Sequence, residues 1–561
     1  MRGERFGDID VTVEQTPPSN STHGYAPYRF LISNRSPQAD RRVTLWLPRE
    51  GYRGRIERIE RTVEVGAGQS VRCSLWAPPL ETYGDGIGVA IDGRVQRSNL
   101  SPPIHTTGGY WSDEYHLLIP HRIEAFDILG APIRLNASTQ IVVHRNEGGG
   151  VSSHWLDYSP YHVVLVSAEW LRSMPGEGRQ ALMRYAECGG CLAVLGRWKP
   201  EDLQGIREPL NAYGAIVKYP AGFGSIVVFE SSRRKRFVLD DGLLAHLSKH
   251  FTGMRGLKAD SNDYFPFRRR RPIDQSDFPV IEDTQPPVQY LFLFMIAFVL
   301  LIGPANLIFL CRTDRRLWLL WTVPAMSVLA SGTIFAIGIL DEGVHTRTRI
   351  AAVTILDQRT ARAATLGRLG YYSPFPPRGG LHFDYGTEVT PIDFDLGPVT
   401  IDWTHDQHFE SGWFASRVPL QLRVRRSETR RERITVSVNE SGDTLAVNGL
   451  GVSVKRLIYA DGKGELWRAE AIAAGDEVKL TPLGRIASAT PFVFHDLLTN
   501  AEWRRAPENL TERPERFLRP NAWIAVLDDS PFLDEGIGEV SDRKVEAVVY
   551  GILDTSKGEA N

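Results

Sequence analysis

A pair of long apolar runs near the middle of the chain constrains its fold more than any other feature. From Val288 to Leu310 the only strongly polar side chains are Gln289 and Asn306, and from Leu317 to Leu340 only scattered Thr and Ser interrupt the apolar residues. Each run exceeds the roughly 20 residues that a helix needs to cross about 30 Å of hydrocarbon. Only Cys311, Arg312, Thr313, Asp314, Arg315 and Arg316 separate them. So short a connection predicts two antiparallel neighbouring helices, a two-pass membrane hairpin. The large regions before and after it must then lie on one side of the bilayer.

Charge sets the expected orientation. Arg312, Arg315 and Arg316 occupy the turn, whereas Glu282, Asp283, Asp341 and Glu342 flank the outer ends. The positive-inside bias puts the turn in the cytoplasm and both large regions outside it. The basic run Arg268, Arg269, Arg270 and Arg271 opposes that bias and is a candidate contact for anionic lipid, the alternative being a solvated linker. Met1 to Asp10 has no apolar core of an export signal, so the expectation is an export segment missing from the start, with cytoplasmic lobes as the alternative. Trp318, Trp321 and Tyr290 stand near the span ends as interfacial anchors. Asn306 is expected to bond across the hairpin to Thr322; one amide without an ionisable partner does not make a transport pathway.

A chain of 561 residues holds several domains. Its 24% charged residues, 42% hydrophobic residues and net charge of −2 describe ordinary folded domains and point away from a nucleic-acid partner. Four cysteines, Cys73, Cys188, Cys191 and Cys311, make no disulfide framework.

The expected organisation is multidomain. Residues 1–107 alternate in short strands (Tyr28 to Ser33, Arg42 to Leu47, Arg61 to Val65, Ser70 to Trp76) and suggest an immunoglobulin-like β-sandwich. Residues 108–287 hold an α/β, Rossmann-like region and a linker: the buried-strand pattern Tyr161 to Ser167, a helix over Gly176 to Glu187, a Cys-Gly-Gly-Cys turn and a second buried strand at Leu192 to Gly196 form a βαβ unit. A further amphipathic helix is expected over Asp240 to Phe251. After the membrane segment 288–340, residues 341–483 form a β-rich, sandwich-like domain, with Leu381 to Val389 as one strand and Arg423 to Arg433 as an exposed charged strand pair. Residues 484–561 close the chain as an α+β segment with a helix after Pro482.

Several of these stretches carry a resemblance. Trp155-x-x-Tyr158, the Val-Val-Leu-Val-Ser strand, the helix around Ala181 to Tyr185, Phe223 to Val228, Gly303-Pro304-x-Asn306, Trp321 to Pro324, and Asp402 to Thr404 through Gly412-Trp413 are similar to bacterial membrane proteins with a glutamine amidotransferase-like domain. The resemblance implies a bacterial inner-membrane location and partners in multi-component membrane systems, with von Willebrand A-type subunits and an AAA+ ATPase as the analogy. It carries no settled activity.

Candidate chemistry falls at three places. An amidotransferase needs a cysteine on a glycine-flanked elbow beside a histidine. The matching strand end here is Val166-Ser167-Ala168-Glu169, so Ser167 is the weak substitute and the α/β region reads as degenerate. Cys188 and Cys191 form a C-x-x-C, but after a helix, where the dipole opposes a thiolate; a structural turn is the better reading and a redox pair the alternative. His405, Asp406, His408 and Glu410, with Asp402 nearby, are the right residue types for zinc or a related ion, although strand alternation puts His405 on the opposite face. No cofactor is expected. The expectation is a non-catalytic, membrane-anchored scaffold that binds other envelope proteins, with an envelope hydrolase or thiol oxidoreductase as the alternative.

Overall fold

The computed structural model describes residues 2–18, 23–48, 56–78, 86–100, 113–123, 126–128, 133–136, 139–145, 151–200, 203, 205–210, 214–230, 237–239, 278–281, 288–313, 316–342, 346–375, 377, 379–392, 399–486, 510–538, 540 and 542–554. Arg268 to Arg271, Arg315, the helix expected over Asp240 to Phe251 and residues 487–509 lie outside the described residues.

The α/β region follows its sequence pattern closely. Thr139–Arg145, Asp113–Ile119, Val163–Ser167, Cys191–Leu195 and Gly224–Glu230 lie side by side in parallel. Antiparallel strands extend both edges of this eight-stranded sheet. Helices Ala168–Ser173 and Gly176–Glu187 connect two of the parallel strands, as a parallel crossover requires. Cys191–Leu195 is buried along its whole length, which explains its unbroken run of apolar residues.

The flanking β regions are less separate than their sequence suggests. Arg2–Phe6, Ile9–Gln15, Ala26–Asn34 and Ser70–Ala77 form a four-stranded sheet. Facing it, a seven-stranded sheet combines Arg41–Pro48 and Ile56–Val65 with three strands from beyond the membrane segment, Val399–Asp402, Gln407–Ser411 and Leu381–Phe383. Val399–Asp402 runs parallel to Ile56–Val65, with Ile401 opposite Ile59. Val11, Phe30, Leu45, Ile59, Ile401 and Phe409 share one core. Residues 1–107 and 341–483, expected as separate modules, are therefore joined by a common sheet.

Two further expectations need correction. Leu381 to Val389 is two strands, not one: Leu381–Phe383 belongs to the seven-stranded sheet and Thr387–Pro391 to a nine-stranded sheet built mainly from the C-terminal third. Arg423 to Arg433 is not an exposed strand pair. Leu420–Thr429 is a strand of the nine-stranded sheet in which Arg423 and Arg425 are buried. Buried arginine is tolerated only where partners replace water, and Arg425 has them in Glu388 and the Cys188 carbonyl.

The two apolar runs form helices long and apolar enough to cross a membrane. The first runs through Val288–Leu300, a π-turn at Leu301–Ala305 and Asn306–Arg312. The π-turn coincides with Pro304, whose missing N–H and bulky ring cannot fit a regular turn. The second helix is Leu319–Glu342. Asn306 Nδ2 donates to Thr322 Oγ1 at 2.9 Å, the bond expected from their matching depth. Trp318 and Trp321 are exposed near the turn, Arg312 ends the first helix and Arg316 begins the 3-10 turn before the second.

Candidate functional site

Ser167 ends its strand where the parallel sheet changes direction: Asp113–Ile119 lies between Thr139–Arg145 on one side and Val163–Ser167 on the other. Ligand sites of open α/β sheets form at the carboxyl ends of strands at such a point. The loop after Ile119 brings in His121, which sequence spacing did not pair with Ser167. Its Nε2 accepts the Ser167 backbone N–H at 3.0 Å, its Nδ1 lies 2.9 Å from the Arg122 carbonyl, and its ring stacks on Trp170 at 4.4 Å. Burial holds its pKa below the ordinary histidine value, against the raising effect of the Arg122 carbonyl. Ser167 Oγ accepts the Trp170 N–H at 3.2 Å and so caps the helix Ala168–Ser173. The serine and histidine are neighbours, but the histidine lone pair that a base would use points at a backbone amide, not at Oγ. Ser167 has ordinary extended backbone angles, φ −84° and ψ 147°, unlike a strained nucleophile elbow.

Cys188 and Cys191 are free thiols packed into different cores. Cys188 packs with Leu192 and Val194, whereas Cys191 packs with Ala193 and Leu195 on the opposite face of the sheet. Burial pushes both thiols up, Cys191 to about 12. Gly189, at φ +107°, makes the turn between them. The motif's four residues thus serve a helix-to-strand turn.

The expected metal set does not assemble as a unit. His405 and Glu410 are exposed, and among the described residues no three His, Cys, Asp or Glu side chains are grouped to hold a metal ion. Asp406 and His408 instead meet His382, from the neighbouring strand. His382 Nδ1 lies 2.8 Å from Asp406 Oδ2, and the His382 and His408 rings stack at 4.0 Å. A partly buried histidine group was also missed: His116 Nδ1 is 3.1 Å from His144 Nε2, and His162 Nδ1 accepts the His116 backbone N–H at 3.1 Å.

Polar contacts also join the three regions where they meet. Tyr25 Oη donates to the Val389 carbonyl at 2.7 Å and accepts the Val389 N–H at 2.9 Å, while the Tyr25 N–H donates to Ser159 Oγ at 2.8 Å. Gly24 precedes it at φ +70°, and a Cβ there would come within 2.3 Å of the Ser159 carbonyl oxygen. Trp76 Nε1 donates to Asp157 at 2.6 Å, Trp155 Nε1 to the Gly386 carbonyl at 2.6 Å and Trp403 Nε1 to the Trp76 carbonyl at 2.9 Å. Arg425 pairs with Glu388 at 2.5 Å and donates to the Cys188 carbonyl at 2.8 Å; Arg362 pairs with Glu187 at 2.7 Å.

The segment before the first apolar helix is tied to the strand after the second. Arg349 donates to the Pro279 carbonyl at 2.9 Å, and the guanidinium groups of Arg349 and Arg368 each stand 4.6 Å from the Phe278 ring centroid. A cavity of about 480 Å³ opens between the α/β region and the nine-stranded sheet, lined by Met183, Glu187, Ile355, Arg359, Arg362 and Tyr550 among others. None of Ser167, Cys188 and Cys191 lines it.

No family model and no curated protein matches the chain. Among solved structures, the yeast delta-COP-I mu-homology domain, both complexed with a Dsl1 WxWxV peptide and alone, is similar at 9% identity and a TM-score of 0.19. The match covers 37% of this chain and 96% and 95% of those chains, respectively.

Proposed function

We propose that this chain is a non-catalytic, membrane-anchored scaffold whose joined lobes offer binding faces to other proteins of a bacterial cell envelope. The observation that carries this reading is the commitment of the candidate nucleophiles. Ser167 Oγ caps a helix, His121 turns its lone pair to a backbone amide, and the two thiols lie in separate cores. The parallel strand order supports descent from a Rossmann-like, amidotransferase-like domain that has lost its elbow. The hairpin's arginines support a cytoplasmic turn with both lobes outside, in the inner membrane.

The alternative is an envelope hydrolase or thiol oxidoreductase working from the α/β region, and the closeness of His121 to Ser167 is what favours it. Labelling the solubilised full chain, carrying Cys311→Ser, with a fluorophosphonate and with iodoacetamide separates the two. The scaffold reading predicts no labelling of Ser167, Cys188 or Cys191. It also predicts that Ser167→Asp, which keeps the cap, leaves the native size of the membrane-extracted assembly unchanged. Stoichiometric labelling of Ser167 or of either thiol in the folded protein overturns it.

A further inference from the structure

We propose that the loops carrying Phe375 and Val418 dip into the lipid interface beside the hairpin, so that a folded lobe holds the bilayer surface as well as the helices; this rests on the reading of the two apolar helices as membrane spans. Outside those helices, Phe375 is the only exposed Phe or Trp among the described residues, at 51%. Val418 is exposed too, at 43%. The two loops are bonded to each other: the Arg417 N–H donates to the Ser373 carbonyl at 3.0 Å, and Ser416 Oγ donates to the Pro374 carbonyl. Ser373 Oγ donates to the Phe375 carbonyl at 2.5 Å, and buried Tyr371 packs edge-to-face on Phe414 at 5.7 Å. Two exposed apolar residues are thus carried on one fixed surface, with exposed Arg417 next to Val418.

Connectivity places this surface at the lipid. Strand Arg347–Asp357 starts at the fifth residue after Glu342, where the second helix ends, so at most about 18 Å of extended chain separates them. Arg362–Tyr372 runs antiparallel beside that strand and brings Tyr372 opposite Arg347. Leu420–Thr429 is antiparallel to it in turn, with Leu420 opposite Tyr371. Phe375 therefore follows, and Val418 precedes, this same end of the nine-stranded sheet. The segment before the first helix comes to that end as well: Gln421 Nε2 donates to the Phe278 carbonyl at 3.3 Å, and a Cβ on Gly370 would stand 2.6 Å from Val280. Val288, where the first helix begins, is only the eighth residue after Val280. Two short tethers thus hold one end of the sheet near the ends of the spans, and it is the end that carries the exposed apolar loops. Interfacial segments bury their apolar side chains about 5–10 Å into the headgroup boundary, while neighbouring cationic groups meet lipid phosphate. Loops already bonded in place lose little further freedom on insertion.

Nitroxide labels on Phe375→Cys and Val418→Cys test this, each in the full chain carrying Cys311→Ser and reconstituted into phosphatidylcholine–phosphatidylglycerol vesicles. The remaining cysteines, Cys73, Cys188 and Cys191, are buried. Electron paramagnetic resonance with oxygen and with a water-soluble nickel chelate as relaxants reads the depth of each label. Exposed Ser437→Cys supplies the aqueous reference, and Leu329→Cys, within the second apolar helix, the hydrocarbon reference. Both loop labels should fall between the references, with chelate accessibility roughly threefold below that of Ser437→Cys. Adding Phe375→Asp should return the Val418→Cys label to the aqueous value. Loop labels as open to the chelate as Ser437→Cys, or shielded from oxygen and chelate alike as under a protein partner, overturn the proposal while a Leu329→Cys label in hydrocarbon leaves the spans standing. A Leu329→Cys label open to the chelate overturns the membrane reading itself, and the proposal with it.

Discussion

The junction of the three lobes and the membrane hairpin are held together in opposite ways. At the junction, groups from distant parts of the sequence exchange short directional bonds in a buried setting, as between Arg425 and the Cys188 carbonyl or Tyr25 and Val389. In the hairpin, Asn306 to Thr322 is a polar bond between two otherwise apolar helices. The junction therefore gains its specificity from polar groups that are costly to leave unpaired. In the proposed membrane setting the hairpin gains its place from a solvent, lipid, that accepts apolar surface without a specific partner.

The largest effect expected from that contrast is at the buried ion pair. Glu388→Gln strands the Arg425 charge and should cost about 3–5 kcal/mol in urea denaturation of the solubilised chain. The double variant Arg425→Met with Glu388→Gln should recover much of the loss, since no charge remains buried; equal loss in both would show that packing, not charge, dominates. Next comes Tyr25→Phe, which leaves the Val389 carbonyl and N–H without the hydroxyl and should cost about 1–3 kcal/mol. It should also expose the joint between the N-terminal sheets and Ser159 to limited proteolysis. Ser167→Ala removes a helix cap and should cost about 1 kcal/mol, while Ser167→Asp restores most of it. The smallest effect belongs to the hairpin. Asn306→Leu should change stability by about 0.6 kcal/mol, because polar bonds between membrane helices average no more than that.

The same contrast explains what could be read from the sequence. The hairpin, the helix Gly176–Glu187 and the strand after it are local patterns of apolar spacing, and they emerge with nearly the expected ends. The Asn306 to Thr322 bond was legible because a short turn fixes the depth of both helices. The junction was not. The Trp403 indole meets the Trp76 carbonyl across 327 positions, and no local pattern records such a pairing. The buried arginines of Leu420–Thr429 misled because alternating charge reads as exposure until Glu388 is known to lie beside Arg425. The metal candidates are split for a related reason. Asp406 and His408 belong with His382, which enters from a neighbouring strand 24 positions before Asp406, while the adjacent His405 is exposed.

The central proposal is that the regions on either side of the hairpin, which share one sheet, lie on a single face of the bilayer. Cysteines placed at exposed Gln69 and Ser437, each introduced singly with Cys311→Ser, report the two regions to a membrane-impermeant maleimide in sealed, oriented vesicles; the unaltered Cys311 reports the turn. Both introduced cysteines should label from one side and Cys311 from the other. Labelling of Gln69→Cys and Ser437→Cys from opposite sides would contradict the account, because strands Val399–Asp402 and Ile56–Val65 cannot pair across a membrane.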